Sequence, residues 1–294
     1  MTYLLIIFFY LISSVVDVMD KVLLSARKIR PLTYTFFTVV MGLILLLAWP
    51  WVYEPLGFSR ILLDVFSGVL FSVAMYLFFK AVSEGEVSRV VPFIFAVVPL
   101  TDLLVSVFTG ANLLSIKEFS ALCLLLPGAF LIAYKKEVFS SRHILLKVLS
   151  ALLWSIYYAV WQYSATGGNV LNHLMWNRLG AALPVVLLLA LPVARRNILG
   201  VKNVEKKKQT SLLFFLKQIL GGVSFVFLSF LLVFSKISVV NGLQGFRYIF
   251  LFLFALILSY THQHLLQEQL NKKVIWQKFA AICLIFGGTI ILFV

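Results

Sequence analysis

The chain has 294 residues, 62% of them hydrophobic and 12% charged, with a formal net charge of +14. Soluble domains carry about 25% charged residues, so this composition excludes a soluble globular enzyme and predicts a chain that lives in a bilayer. The surplus Lys and Arg sit in short segments between apolar stretches, with no nucleic-acid-binding module around them, and so speak for membrane topology and against a nucleic-acid partner.

A transmembrane helix needs roughly 20 mostly apolar residues. Ten such runs follow one another, at 2–25, 32–52, 61–82, 89–109, 117–134, 145–166, 170–192, 211–235, 242–261 and 274–293. Continuous runs of this length exclude the short alternating segments of a β-barrel, so the fold class is an all-α membrane protein with ten transmembrane helices. The first run has no basic region before it and no small-residue cleavage site after it, and is expected to be retained.

Charged side chains near the bilayer centre cost roughly 2.5 to 3.5 kcal/mol on insertion scales, so each needs a partner or a cavity. In the first run Asp17, Asp20 and Lys21 are spaced to share one helical face. They read either as an internal ion pair near the interface or as a proton or substrate site. In the fourth run Asp102 follows Pro99 by three residues, and a helix-interior proline frees a backbone carbonyl near a polar group, a common pointer to a transporter site. The sixth run carries an aromatic stripe with Trp154, Tyr157, Tyr158 and Gln162, which reads as cavity wall or as packing. Arg178, beside Asn177 and Trp176 in the seventh run, would neutralise an anionic substrate or pair with Asp17 or Asp102. The ninth run opens with Asn241, Gly242, Gln244, Gly245 and Arg247, a polar, glycine-rich entry that lines a pathway or lets helices pack closely. Cys123 and Cys283 fall inside apolar runs, where packing is sufficient explanation for a thiol.

The chain also repeats itself. Residues 118–133 and 278–293, offset by 160, coincide at Phe, Ala, Cys, Leu and Gly, and a fainter match at an offset of 141 sets Ser14 over Ser155. Two five-helix units, 1–137 and 138–294, are expected. Twenty Lys and Arg residues fall on the loops and helix ends after odd-numbered runs and five elsewhere. By the positive-inside rule both termini then face out. Equivalent loops of the two units have opposite charge bias, the mark of an inverted repeat. The segment around Arg27, Lys28 and Arg30 is basic and its counterpart at 165–173 has no Lys or Arg.

These features resemble the ten-helix EamA-type members of the drug/metabolite transporter superfamily. The residues that carry the resemblance are EGEVSRVVP at 84–92, VVPLTDLLVSVFTG at 97–110, the Asp17 and Lys21 segment, WNRLG at 176–180 and the segment from 265 to 288. The turn between the fourth and fifth runs departs from the family pattern: Gly110 is followed by Ala111 where the family usually has Glu, while Glu268 retains that carboxylate in the second unit. The resemblance implies a secondary transporter of a small organic solute (an amino acid, metabolite or drug-like molecule). Alternating access in the cell membrane is the expected mechanism, and the buried carboxylates Asp17 and Asp102 are the expected route for coupling to protons. Its expected partners are that solute and membrane lipids; no cofactor or metal is expected, since His262 and His264 lack a third ligand. The candidate substrate- or proton-binding set is Asp17, Lys21, Asp102, Trp154, Tyr158, Arg178, Gln244 and Arg247. The alternative is a membrane-embedded enzyme acting on a lipid or its headgroup.

Overall fold

A computed structural model describes residues 2–108, 115–134, 141–199, 207–234, 243–261, 263–266 and 271–293, and every regular element in them is helical. Each of the ten apolar runs carries a helix. The first is α1 (Thr2–Lys21), which widens into one π-helical turn at Val22–Ala26. Lys28 then takes a left-handed conformation and Arg30 an extended one, so that Pro31 can open the next helix, where its fixed φ fits and its missing N–H costs nothing. That helix is α2 (Pro31–Gly42), which continues through a tighter 3-10 stretch (Leu43–Ala48) into α3 (Trp49–Val52). There follow α4 (Phe58–Glu84), α5 (Val87–Phe108), α6 (Ile116–Ala133), α7 (Ser141–Ala165) and α8 (Val170–Leu189). Asn169 caps α8, its side-chain oxygen accepting from the N–H groups of Leu171 and Asn172. The chain ends through α9 (Pro192–Leu199), α10 (Lys207–Phe234), α11 (Gly245–Thr261), α12 (Gln263–Leu266) and α13 (Lys272–Phe293). Neither α9 nor α12 belongs to an apolar run; α9 is a short amphipathic helix carrying Arg195 and Arg196.

Among the described residues, five stretches are long and apolar enough to cross a membrane: Pro31–Val52, Phe58–Glu84, His143–Ala165, Gln209–Leu231 and Lys272–Ile291. Val87–Val98, Phe119–Ile132 and Gly245–Thr261 are apolar but shorter. Large apolar side chains point outward all along the bundle, among them Phe8, Leu62, Leu126, Leu187 and Ile257. The polar side chains turn inward, the inverse of a soluble protein.

With lipid outside, burial of apolar surface does not hold helices together, and close packing and internal polar contacts must. Gly68 of α4 and Gly180 of α8 show the first: a Cβ on Gly68 would strike the backbone of Asn177 and Ala181, and one on Gly180 the backbone of Val65. The helices touch main chain to main chain. Gly128 of α6 and Gly288 of α13 instead make room for side chains, those of Ile285 and Leu125. At one end of the bundle, Glu86 accepts from Arg89 and Lys278, while Arg89 Nη1 and Gln277 Nε2 donate to the last carbonyls of α6. This knot ties the start of α5, the end of α6 and the start of α13.

The packed pairs form a pattern. α1 packs on α11 as α7 packs on α5; α1 on α10 as α7 on α4; α2 meets α10 as α8 meets α4; and α6 lies along α13. Exchanging the first five runs with the last five maps each pair onto another. The central helices repeat in sequence as well, with Gly68-Val69-Leu70-Phe71 of α4 matching Gly222-Val223-Ser224-Phe225 of α10.

Candidate functional site

A cavity of about 500 Å³ lies between α1, α2, α4, α5, α7, α8, α10 and α11. α6 and α13 take no part in its wall. It reaches the surface between α2 and α10, where its lining residues Ile44, Phe215, Ile219 and Val223 are also exposed on the outside of the bundle. One hydrogen bond, from Gln218 Nε2 to Thr38 Oγ1 at 2.9 Å, joins α10 to α2 there.

Two ion pairs stand in the wall. Asp17 takes both ends of the Arg247 guanidinium, Nε to Oδ2 and Nη2 to Oδ1, each at 2.8 Å. This fork geometry fixes orientation as well as charge, and the guanidinium also lies 4.3 Å from the centroid of Phe95. Asp20, one turn on, meets Lys217 Nζ at 3.0 Å and accepts the hydroxyl of Tyr34. α1 is thus linked to α11 and α10, 197 or more residues away in sequence. A third cation is held differently. The guanidinium of Arg178 lies 3.7 Å from the Phe225 centroid and 4.8 Å from that of Phe71, the two matching Phe residues of the Gly-Val-x-Phe segments. Its Nε is buried without a hydrogen-bond acceptor, and among the described residues no carboxylate pairs with it. Trp154 and Tyr158 complete an aromatic wall, their rings 5.5 Å apart, with Phe71 edge-on to Trp154 at 5.7 Å.

Of the candidates read from the sequence, Asp17, Trp154, Tyr158, Arg178 and Arg247 line this cavity together. Lys21 does not. It lies one turn beyond Asp17, but its Nζ donates to the carbonyls of Val82 at 3.0 Å and Gly85 at 2.7 Å, the free carbonyl end of α4, where a cation is favoured. Gln244 is buried one turn before Arg247 and is not part of the wall. The side chain of Asp102 lies outside the described residues, as do Asn241, Gly242, His262 and Glu268.

Sequence reasoning missed three features. Lys217, counted above as a loop-end cation, is 2% exposed and paired in the wall; its position seven residues into an apolar run was the available signal. The Gly-Val-x-Phe match has an offset of 154 and was hidden behind the offsets of 160 and 141. Asp64 of α4 was passed over. It is fully buried, with His173 Nδ1 at 2.7 Å and the Ser164 hydroxyl on its other oxygen. That order is Ser-Asp-His, with the serine donating to the carboxylate, so no base faces the hydroxyl and it is not a nucleophile constellation. The cluster lies beside the Gly68–Gly180 contact and pins α4, α7 and α8 together, helped by Asn177 donating to Ser67 at 2.8 Å.

Comparison with known proteins gives two findings. The sequence model of the EamA-like transporter family matches residues 1–134. A solved crystal structure described only as that of a protein superposes with a TM-score of 0.62, covering 98% of this chain and 94% of that one at 15% identity, a likeness of fold alone that runs through both halves. No curated protein matches.

Proposed function

We propose, from a multi-pass membrane chain whose residues 1–134 belong to the EamA-like transporter family, that the protein is a secondary transporter of a small organic solute. It works by alternating access between two inverted five-helix halves, 1–137 and 138–294. The observation that carries this reading is the cavity framed by equivalent helices of both halves and closed on only one of two equivalent sides.

On the closed side α4 and α8 meet main chain to main chain at Gly68 and Gly180. On the equivalent side α10 carries Gly222 and α2 carries Gly42, yet a Cβ on Gly222 would meet nothing within 4 Å and one on Gly42 only the Arg178 side chain. Small residues permit close helix approach. In the alternative state α2 and α10 close at Gly42 and Gly222 while α4 and α8 part, carrying the cavity from one side of the membrane to the other. The solute sits against Trp154, Tyr158 and Arg178. Coupling runs through Asp17, with Asp102 of α5 as the second carboxylate: a proton on Asp17 discharges its pair with Arg247 and frees α11 from α1, so the pair is made and broken once per cycle.

Purified protein in liposomes preloaded with a metabolite mixture should catalyse counterflow of one labelled solute, and a proton gradient should drive its accumulation. Asp17→Asn should keep exchange and lose gradient-driven accumulation. If no solute shows counterflow while the purified protein turns over lipid or headgroup, the enzyme reading replaces this one.

A further inference from the structure

The charges of the cavity are unevenly satisfied. Both wall carboxylates already have a cation, Asp17 in a two-point contact with Arg247 and Asp20 with Lys217 and Tyr34. An amine would have to displace one of these cations to be bound. Arg178 is the opposite case: it is 5% exposed, lines the cavity, and faces no carboxylate among the described residues. Phe71 and Phe225 lie beside each other against it, their ring centroids 4.8 and 3.7 Å from the guanidinium carbon and 4.9 Å apart, and rings attract the cation without offering its N–H groups an acceptor of carboxylate strength. Its Nε is buried and has no acceptor. A buried cation that lines an apolar chamber beside the Phe residues of the two Gly-Val-x-Phe segments, with no carboxylate of its own among the described residues, is suited to an anion, and a guanidinium can hold two oxygens of one planar or tetrahedral group.

We propose that the solute is an organic anion, a carboxylate or phosphate monoester on an apolar body, and that Arg178 is the residue that selects its charge. This rests on the transporter reading and deepens it. The body is set by the rest of the wall: Phe71, Phe95, Trp154 and Tyr158 offer ring faces, and about 500 Å³ accommodates a small molecule of one or two rings. When the anion leaves, the guanidinium keeps its contacts with the two rings and is not stranded, which lets the empty carrier return.

The test uses compounds of one shape and three charges, indole-3-acetate, indole-3-acetamide and tryptamine, with a second series of octanoate, octanamide and octylamine. Binding is read as stabilisation of the detergent-purified full chain against thermal unfolding, and transport as counterflow in liposomes. In at least one series the anion should bind tenfold or more tighter than its amide, and the amine not at all. Arg178→Gln should bring anion and amide to equal affinity, while Arg178→Lys keeps the sign of the preference with weaker binding, because it keeps the charge and loses the fork. Equal binding of anion and amide by the unaltered protein, tighter binding of the amine, or no binding in either series at millimolar concentration overturns the proposal, even if Arg178→Gln cannot be purified. Those results leave the transporter reading standing, since it fails separately, when solutes of every charge fail to exchange.

Discussion

Buried charge is the most expensive element of this bundle, and its arrangement separates residues that hold the fold from residues that work. Lys21 belongs with the first group. Its ammonium donates to two carbonyls at the end of α4, and hydrogen bonds to a charged group contribute about 1.5 to 3 kcal/mol. Lys21→Met should lower the melting temperature and leave the ratio of anion to amide affinity unchanged. Asp17 and Arg247 are those proposed for the second. Removing one partner of a buried pair leaves an uncompensated charge at a cost of about 3 to 5 kcal/mol, whereas removing both is far milder. Arg247→Gln alone should therefore be strongly destabilising, and Asp17→Asn with Arg247→Gln should recover most of the loss without restoring gradient-driven uptake. Thermal unfolding of the four proteins of that cycle measures it; a double variant no more stable than Arg247→Gln would show that the two side chains do not act as a pair.

At the scale of helices, the proposed alternating access has the α4–α8 and α2–α10 contacts exchange roles. Gly180→Leu would push a side chain into the Val65 backbone, and overpacking of this kind costs about 1 to 3 kcal/mol or more, so it should destabilise the described conformation. Gly222→Leu enters open space. It should melt at the wild-type temperature, bind the solute normally and fail in counterflow, because the bulk blocks the closure that this conformation has yet to make. Counterflow at the wild-type rate would place the moving contact elsewhere. Much of this level could be read from the sequence, since a run of about 20 apolar residues has one solution in a bilayer and every such run became a helix. The pairing inside the bundle was not legible. Asp17 and Arg247 are 230 residues apart, and which cation a buried carboxylate meets is decided by the crossing of helices. The repeat escaped in its central helices because loops of unequal length shift the offset from 141 at the first helix to 160 at the last. A search at one spacing finds the ends and misses Gly68 with Gly222.

For the molecule as a whole, the remaining question is which face is which, and here the structure sharpens the charge argument. Four of the twenty cations assigned to the basic face, Lys21, Arg89, Lys217 and Lys278, are held in internal pairs or on carbonyls. Arg178 and Arg247 on the other side are likewise internal. Setting these aside leaves sixteen against three, so the asymmetry on which the positive-inside rule acts survives the removal of the internally held cations. The orientation proposed from that asymmetry puts the Thr166 turn, where Gly167 adopts a left-handed conformation, outside and Lys273 at the start of α13 in the cytoplasm. Both residues are exposed. Single cysteines placed there, in a background in which exposed Cys123 and Cys283 are replaced, separate the two orientations with a membrane-impermeant maleimide. Thr166→Cys should label in intact cells and Lys273→Cys only after permeabilisation. The reverse result would turn the protein over in the membrane without touching the internal symmetry, because an inverted repeat has the same packing either way up and only its loop charges decide which half leads.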